Sequence, residues 1–517
     1  MQTLIHSGVY LPTYNPIGLT IKFKGKEIEL EPEAECMAIA FAKKFDTPYL
    51  NDSVFVTNFL LDFSTKLGIE KEDGCLDLKN YDFEAIKKYL EETKAKTEGM
   101  TKEEKKLATT LKKQLREQLK EKYGYALVDG VKTPVMNWAV EPPSIFMSKG
   151  KNPLRGHWKR AIRKEEIILN SSQPMEGWNT VWEPNELWIA KWKDVFDPTR
   201  WKYVWLSPAS QLRQEREKKK FEKAENLAKN IKELEAFIDK ELKSPDVTRR
   251  KLATVCWLMK NLGIRVGDEK IAGERGTLGC TTLKAENVKL GKDGTVYLDF
   301  TGKDYVHWMK SFKPPEQVYK NLQEFKETAK DDFLFKGLDS NKVSRFLREV
   351  LPGMSAKVFR TYLAGTVWDE NAKEHLKLVD GRTSLPVRLY LFKMTNLAVA
   401  KTLNHRRALP KNYQERIAKK EEQLKKETAK LESLKEAPES KLLKQQRKAE
   451  KIACELNLLK ETAEWNLNTS LTSYISPKKT LYFCKKAGLK PEQIYSKSLQ
   501  EKFSWIIKRD EDDTEES

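Results

Sequence analysis

Two basic residues stand at turns, where a long side chain can reach a bound group. Arg265 follows an apolar helix in the run Gly-Ile-Arg-Val-Gly at 263–267, and the two glycines let the backbone turn sharply and approach a ligand. Lys303 lies at the tip of a predicted hairpin, in the run Thr-Gly-Lys-Asp at 301–304. Taken alone, each residue is better explained as a solvated surface cation.

Further basic residues follow in the same half of the chain. Lys357 and Arg360 are three residues apart, which places them on one face of a helix. We expect that helix to begin at Ser355, a favourable N-cap, so that its positive end adds to the field at a phosphate. His405 stands near the end of the helix that follows Pro386. Only the ordered combination of these residues, rather than any single member, favours a functional site over a set of solvated surface cations.

The absence of several motifs narrows the possible chemistry. The sequence contains no Gly-x-x-x-x-Gly-Lys-Ser/Thr loop for ATP and no His-Glu-x-x-His pair for zinc. It also lacks a dense carboxylate cluster of the kind that holds two metals in nucleases, although acids distant in sequence can still converge in space. These absences argue against a P-loop ATPase and against a two-metal nuclease.

A second cationic segment lies in the first half of the chain. Glycines and a proline keep the loop Ser148–Arg163 open, and its composition suits contacts to phosphates. Its basic members are Lys149, Lys151, Arg155, Lys159, Arg160 and Arg163.

The composition agrees with a polyanionic partner. Lysine and arginine number 95 against 76 aspartate and glutamate residues, a formal net charge of +19, which favours nucleic acid first and an anionic membrane second. No run of about 20 apolar residues could cross a bilayer, and the first residues show no signal-peptide pattern. The six cysteines form no Cys-x-x-Cys pair, so we expect reduced thiols in an intracellular compartment.

Residue patterns predict the elements that must position these side chains. Residues 1–100 mix strands with helices, residues 124–208 are rich in strands, and helices dominate after residue 308. A capping box from Thr101 to Glu104 opens a charged helix that ends at Tyr123. The other predicted elements are strands Leu19–Phe23 and Lys26–Glu31, helices Ala34–Lys44 and Asp52–Lys66, one long charged helix over 209–243, an amphipathic helix over 247–262, and a hairpin of Val296–Phe300 and Tyr305–Trp308.

Residues 411–461 differ from the rest in being dense in lysine, glutamate and glutamine. Ile417, Leu424 and Leu431 recur every seven residues, and apolar residues at three- and four-residue spacing follow a break at residues 437–440. This pattern predicts an antiparallel helical hairpin, that is, a coiled-coil linker.

Several strings of this sequence resemble the eukaryotic-type, type IB DNA topoisomerases. They are IRVGDEK at 264–270, DFTGKD at 299–304, SAKVFRTY at 355–362, LNHRRALP at 403–410 and SLTSYISP at 470–477. The strings occur in the family's order, with a coiled-coil linker between the fourth and the fifth. EPPSIF at 141–146 and YGYALVDG at 123–130 match further upstream, so the resemblance covers essentially the whole chain.

The resemblance implies a role for each residue of the basic set. Tyr474 would be the nucleophile, and Arg265, Lys303, Arg360 and His405 would bind the phosphate. The two guanidiniums would hold the nonbridging oxygens, to one of which His405 would donate a further hydrogen bond. Lys303 would protonate the leaving 5′-oxygen as general acid.

The resemblance also implies the reaction and its partners. The product would be a 3′-phosphotyrosine whose stored bond energy allows religation without ATP, cofactor or required metal. The enzyme, an isomerase, would act as a monomer on double-stranded DNA largely without sequence preference, and no membrane is implied. Lys357, Asp304 and Thr361 would add contacts to the DNA beside those of the basic loop.

The implied fold is α+β and multidomain. A mixed N-terminal DNA-binding lobe would span residues 1–208 and a mainly helical catalytic core of the tyrosine recombinase and topoisomerase IB type residues 209–410. The coiled-coil linker would span residues 411–461 and a small helical C-terminal domain residues 462–517. Together they would form a clamp around duplex DNA.

Two features depart from the family's eukaryotic members. Camptothecin-sensitive members carry asparagine immediately before the nucleophile, where this sequence has Ser473, so we expect weak sensitivity to the drug. The sequence begins directly at the core, without the charged N-terminal extension common in eukaryotic members. We therefore expect a prokaryotic source, with the protein in the cytoplasm or nucleoid, in slight preference to a eukaryotic nucleus.

Two other classes of protein remain as alternatives. Tyrosine site-specific recombinases use a similar residue set, but they usually carry histidine where this sequence has Lys357, and they lack the long linker. A non-catalytic DNA clamp would account for the charge and the linker, yet it leaves the ordered Arg-Lys-Arg-His-Tyr set as a coincidence.

Overall fold

The computed structural model describes residues 1–147, 152–268, 277–329, 332–434 and 438–507. Among these residues the chain forms two compact units, the first of residues 1–213 and the second of residues 214–268 and 277–507. The first unit mixes strands and helices, and the second is mainly helical. The predicted α+β class is confirmed.

The first unit is built around a seven-stranded sheet. Its strands and helices are, in chain order, β1 (Leu4–His6), β2 (Thr20–Phe23), β3 (Lys26–Glu29), α1 (Pro32–Ala42), α2 (Ser53–Leu67), β4 (Tyr81–Asp82), α3 (Glu84–Gly99), α4 (Lys102–Tyr123), β5 (Tyr125–Val128), β6 (Val131–Met136), β7 (Ser144–Ile145), β8 (Trp158–Lys159), β9 (Ile168–Asn170), β10 (Asn179–Val181), β11 (Trp188–Lys193) and β12 (Trp201–Leu206). The sheet has the order β1-β5-β6-β12-β11-β9-β10, and only its β9–β10 pair is parallel. The capping box of α4 is present as predicted, with Glu104 N–H donating to the Thr101 hydroxyl.

The second unit carries most of the predicted site residues. Its elements are α5 (Gln211–Lys229, from Gln214 onward), α6 (Ile231–Glu241), α7 (Val247–Leu262), β13 (Val288–Leu290), β14 (Val296–Thr301), β15 (His307–Phe312), α8 (Glu316–Ala329), α9 (Ser340–Arg348), α10 (Val358–Leu376), α11 (Leu385–Thr402), α12 (Tyr413–Ser433), α13 (Glu439–Glu461), α14 (Leu467–Ser473), α15 (Pro477–Ala487), α16 (Pro491–Ile494) and α17 (Lys497–Lys502). Strands β13, β14 and β15 form an antiparallel sheet.

Helix α10 joins the two hydrophobic cores of the second unit. Phe359 belongs to the core that α7 and the small sheet supply, whereas Ala364 and Trp368 belong to the core of α11 and α15. Arg360, directly after Phe359, is therefore held on an element that packs on both sides. Burial of each large apolar side chain, such as Phe359 or Trp368, stabilises the fold by about 2–3 kcal/mol.

Three sequence-based predictions in this unit are wrong in detail. The single helix predicted over 209–243 is broken at Asn230, whose side-chain amide donates to the Asn226 carbonyl at 2.9 Å and so favours a turn. The helix expected to begin at Ser355 begins at Val358, and no side chain caps it. The second strand of the hairpin begins at His307 rather than Tyr305, because Tyr305 and the residue before it have positive φ.

The predicted helical hairpin of residues 411–461 is confirmed by α12 and α13, which pack side by side. Charged pairs cross between the two helices, with Lys420 2.6 Å from Glu455 and Lys460 2.7 Å from Glu421. These exposed pairs fix the register of the helices more than they stabilise them, since each contributes at most about 1 kcal/mol.

Within the described ranges, no helix is both long and apolar enough to span a membrane. In the same part of the chain, no three His, Cys, Asp or Glu side chains converge where they could hold a metal ion. All six cysteines are described, and none of them forms a disulfide bond.

Candidate active site around Tyr474

Tyr474 lies in the corner between α14 and α15. Asn466 caps the start of α14 by accepting hydrogen bonds from two backbone N–H groups, and the Tyr474 N–H donates to the Ser470 carbonyl at 2.9 Å. The helix ends there because Tyr474 leaves helical geometry, with φ −127° and ψ −33°, and Pro477 opens the next helix. The phenol ring is half-buried, and it is presented from a short, well-capped element.

Two guanidiniums bracket the phenol. Arg265 Nη1 donates to the Tyr474 hydroxyl oxygen at 3.0 Å, and the guanidinium carbon of Arg360 lies 4.9 Å from the centre of the ring. Burial opposes ionisation of the phenol, but the positive charges of Arg360 and Arg265 outweigh it and hold the pKa of Tyr474 below its ordinary value. The arrangement therefore eases loss of the phenol proton, the step that makes tyrosine a nucleophile.

Arg360 is a buried cation, only 6% exposed. Its Nη1 donates to the Gly263 carbonyl and its Nη2 to the Leu403 carbonyl at 3.1 Å, while Nε has no partner among the described residues. Burial, with a smaller contribution from Arg265, lowers the pKa of Arg360 to about 10, so it remains charged at neutral pH. No carboxylate of the described chain pairs with it, and an uncompensated buried charge of this kind is costly unless an anion binds.

His405 completes the cluster as a neutral imidazole. Its ring centre lies 5.3 Å from that of Tyr474, its Nε2 lies 3.2 Å from Arg360 Nη2, and it is 6% exposed. Burial first, and then the charges of Arg360 and Arg265, lower the pKa of His405 to about 3. Because a guanidinium can only donate, Nε2 accepts this hydrogen bond and the proton of the neutral ring is on Nδ1.

The run that carries Arg265 is fixed in place by the close packing of Gly267 against Gly279. Gly263 ends α7 with a φ of 67°, and Gly267 has a φ of 83°. A Cβ added to Gly267 would lie 2.7 Å from the Gly279 Cα, and one added to Gly279 would lie 2.4 Å from the Gly267 Cα. Only glycine at both 267 and 279 allows these two backbone segments to approach so closely.

Lys303 is exposed at the tip of the β14–β15 hairpin, as predicted. Its side chain makes no hydrogen bond or ion pair with the described residues, so the structure does not join it to the other four members of the set. Its hairpin is nevertheless tied to the site through Asn404, the residue immediately before His405. The side-chain amide of Asn404 donates to the His307 carbonyl at 3.1 Å.

The remaining predicted contact residues of this unit differ in exposure. Lys357 and Asp304 are exposed, the latter beside Lys303 with a φ of 63°. Thr361 is only 6% exposed and, together with Tyr474, lines a cavity of about 70 Å³. A direct contact from Thr361 to DNA would have to be made through that cavity.

The described cations of the basic loop all pair with carboxylates of their own unit. Arg155 Nε lies 2.5 Å from Asp52, Arg160 Nη2 lies 2.6 Å from Glu166, and Lys159 contacts Glu141. Lys149 and Lys151 lie outside the described residues. Contact of this loop with phosphates stays a prediction.

Sequence analysis missed a group of charged side chains behind Tyr474. Lys220 Nζ donates to the Ser473 carbonyl at 2.9 Å, Lys502 Nζ donates to the Thr472 carbonyl at 2.7 Å, and Glu217 contacts both ammonium groups. Ammonium groups that bind the last carbonyls of a helix interact favourably with the negative end of the helix dipole. No sequence signal distinguishes these lysines from the many others in the charged helices that carry them.

The neutral state of His405 predicts a pH dependence of stability. The unfolded imidazole, with a pKa of 6.5, takes up a proton that the folded protein does not bind until about pH 3. Folding stability therefore rises with pH across this window and is lost as the pH falls. Between pH 6.5 and 5 we expect this residue to lower the free energy of unfolding by about 2 kcal/mol.

The measurement is urea unfolding of the parent chain and of His405→Gln at pH 5 and 6.5, with the parent showing the larger loss. Proton NMR of the five histidines provides a second check. A His405 resonance that titrates near pH 6.5 in the folded protein would contradict the expected neutral, buried ring.

With the geometry described, comparison with known families becomes specific. The family model of the eukaryotic DNA topoisomerase I catalytic core matches residues 209–438, and the model of the DNA-binding fragment of the same proteins matches residues 1–206. A C-terminal topoisomerase domain matches residues 446–515. The chain belongs to the eukaryotic DNA topoisomerase I family.

Individual relatives agree with this assignment. The chain is 32% identical to DNA topoisomerase 1 of Homo sapiens over 99% of its own length and 71% of that protein. It is also 32% identical to DNA topoisomerase 1 beta of Arabidopsis thaliana over 98% of its length, and 30% identical to DNA topoisomerase 1 of Drosophila melanogaster over 98%. The chain spans 58% of the Arabidopsis protein and 54% of the Drosophila protein, so it corresponds to only part of these longer relatives.

Proposed function

We propose that the chain is a type IB DNA topoisomerase, which relaxes positive and negative supercoils by breaking and rejoining one strand of a duplex. The observation that carries the proposal is the Tyr474 hydroxyl, held by Arg265 and flanked by buried Arg360 and His405. Family membership supports it, as do the names of the relatives.

In the proposed reaction, the Tyr474 oxygen attacks a backbone phosphorus and the bond to the 5′-oxygen breaks. The phenol releases its proton to solvent water, aided by its lowered pKa, and Lys303 supplies a proton to the leaving oxygen. Arg265 and Arg360 bind the nonbridging oxygens, where charge accumulates in the transition state. The reverse attack by the 5′-hydroxyl restores the strand, so no ATP is consumed.

The electrostatics of the site give this proposal a physical basis. Arg360 is desolvated without a carboxylate among the described residues, so an incoming phosphodiester supplies the counter-charge that folding alone leaves out. Because His405 is uncharged, it acts as a hydrogen-bonding group rather than as an acid. Exposed Lys303 has the length and freedom to meet the leaving oxygen from the hairpin tip.

The proposal extends to partners and organisation. The partner is double-stranded DNA bound largely without sequence preference, the active form is a monomer, and residues 1–208, 209–410, 411–461 and 462–517 are its domains. The protein acts wherever the cell keeps its chromosomal DNA. The relatives reported above are human, plant and insect proteins, so the expectation of a prokaryotic source has no support.

The test is relaxation of supercoiled plasmid in EDTA without ATP. We expect complete relaxation and, after denaturation, a nicked strand with protein on its 3′ end and a free 5′-hydroxyl. Exchange between paired recognition sites would point to a recombinase instead. Tight DNA binding without any relaxation would favour a non-catalytic clamp.

Ser473 provides a separate prediction about inhibition. With serine rather than asparagine before the nucleophile, we expect camptothecin to stabilise few covalent complexes of the parent chain, and Ser473→Asn to raise their yield several-fold. The measurement is the fraction of labelled DNA trapped by detergent with and without drug, with Ser496→Asn, at an exposed serine before α17, as the control. Strong trapping by the parent chain would contradict the prediction.

A further inference from the structure

A short backbone ladder joins the segment that carries His405 to the segment that leads to Tyr474. The Asn466 N–H donates to the His405 carbonyl at 2.8 Å, and the Arg407 N–H donates to the Glu464 carbonyl at 2.8 Å. Between them, Arg406 and Trp465 form an antiparallel bridge. The ladder closes the base of the α12–α13 hairpin, so that both ends of this hairpin meet beside the candidate active site.

The Arg407 side chain reinforces this ladder at the end of α13. Its Nε donates to the Ala463 carbonyl at 3.1 Å and its Nη2 to the Thr462 carbonyl at 3.0 Å. Helix α13 ends at Glu461, and the carbonyls at the end of a helix have no partner within it. A cationic fork that takes two such carbonyls at once also opposes the negative end of the helix.

Only a short turn and the bridge at Trp465, residues 462–466, separate α13 from α14, and the backbone ladder holds this segment. Trp465 and the capping residue Asn466 lead directly into α14, whose last residue precedes Tyr474. Helix α14 is held sideways by Asn396, which donates to the Leu467 carbonyl at 3.0 Å and accepts from the Ser470 hydroxyl at 2.5 Å. A shift at Ala463 would therefore displace α14 as one unit, and Tyr474 with it.

We infer that Arg407 is a positioning residue for Tyr474. This inference rests on the proposed function, since its consequence for activity requires Tyr474 to be the nucleophile. Arg407 touches neither the phenol nor the other members of the site. It fixes the direction in which the chain leaves α13, and with it the placement of the Tyr474 oxygen against Arg265 and Arg360.

The neighbouring residue offers a matched control. Arg406 is exposed, stacks over Trp465 at 5.1 Å and lies 3.5 Å from Glu464, so its side chain holds no backbone carbonyl. The backbone ladder does not depend on the side chain of Arg406. Arg407→Lys provides a graded variant, because an ammonium group lacks the fixed fork that spans two carbonyls.

The experiment is single-turnover cleavage of a DNA duplex that releases a short strand after the break and so prevents religation. We expect Arg407→Ala to slow cleavage by roughly 10- to 100-fold, since a displacement near 1 Å has an effect of this size. Arg407→Lys should fall between Arg407→Ala and the parent, and Arg406→Ala should stay within about twofold of the parent. Parental cleavage by Arg407→Ala would overturn the inference, even if its melting temperature were lowered.

A measurement without DNA separates this inference from the proposed function. Hydrogen–deuterium exchange of the free protein should be faster over 466–474 in Arg407→Ala than in the parent, with exchange in α7 unchanged as the control for folding. If the parent chain cleaves no DNA, the proposed function fails but the exchange experiment still tests the role of Arg407. Unchanged exchange over 466–474 would overturn that role.

Discussion

We expect Tyr474→Phe to remove plasmid relaxation and covalent DNA attachment while DNA binding persists. The substitution deletes one oxygen, the atom that Arg265 holds at 3.0 Å and that forms the bond to phosphorus in the proposed reaction. Loss of a nucleophile that has no substitute in the site lowers the rate by on the order of 10⁴- to 10⁶-fold. No other hydroxyl in the described cluster lies between the two guanidiniums.

The structural effect of this substitution should be small. The ring remains packed beside Arg360 and His405, and only the hydrogen bond to Arg265 is lost, which costs about 1 kcal/mol. Tyr482→Phe is the matched control, since that tyrosine is 60% exposed on α15 and should relax plasmid at the parental rate. Relaxation by Tyr474→Phe at a comparable rate would rule out Tyr474 as the nucleophile.

The second large effect is expected at Arg360. Arg360→Ala and Arg360→Lys should each slow single-turnover cleavage by about 10²- to 10³-fold, the usual loss when one preorganised donor to a developing charge is removed. Lysine should not restore the rate. The guanidinium is oriented because two of its nitrogens donate to the Gly263 and Leu403 carbonyls. A single ammonium group cannot both donate to these carbonyls and face the phosphate.

This second prediction is tested with saturating protein, so that the chemical step rather than binding is measured. Lys373→Ala is the control, because Lys373 is exposed on the same helix, away from Tyr474 in sequence and in the fold. Near-parental cleavage by Arg360→Lys would show that charge alone matters at this position. The proposed need for an oriented guanidinium at position 360 would then be wrong.

Much of the fold could be predicted because its signals are local. The α7 helix, the capping box at Thr101 and the α12–α13 hairpin all follow from side-chain periodicity and capping chemistry within a few turns of chain. The errors fall at boundaries that are decided elsewhere. Helix α10 begins at Val358 rather than Ser355, and Asn230 interrupts a pattern that reads as one continuous charged helix.

Partners across long stretches of sequence were harder to predict. Composition alone predicts an open basic loop, yet Arg155 pairs with Asp52, 103 residues earlier, and Lys159 contacts Glu141. In the same way Lys220, 253 residues before Ser473, donates to the carbonyl of the residue in front of Tyr474. Such pairs depend on how distant segments pack, and the charge pattern of either segment alone contains no sign of them.

By itself the sequence determined which chemical groups this protein possesses, their order along the chain, and through that order its family. A phenol, two guanidiniums, an imidazole and a hairpin lysine are properties of residue type and local turn chemistry, which no packing can alter. Only the tertiary structure decided the distances between these groups, their burial and their protonation. It brings Arg265 within 3.0 Å of a tyrosine 209 residues away, buries Arg360 without a described carboxylate, keeps His405 neutral and lowers the pKa of Tyr474. The reason is physical: desolvation and Coulomb energy depend on distance and burial, and these exist only once remote segments have packed together.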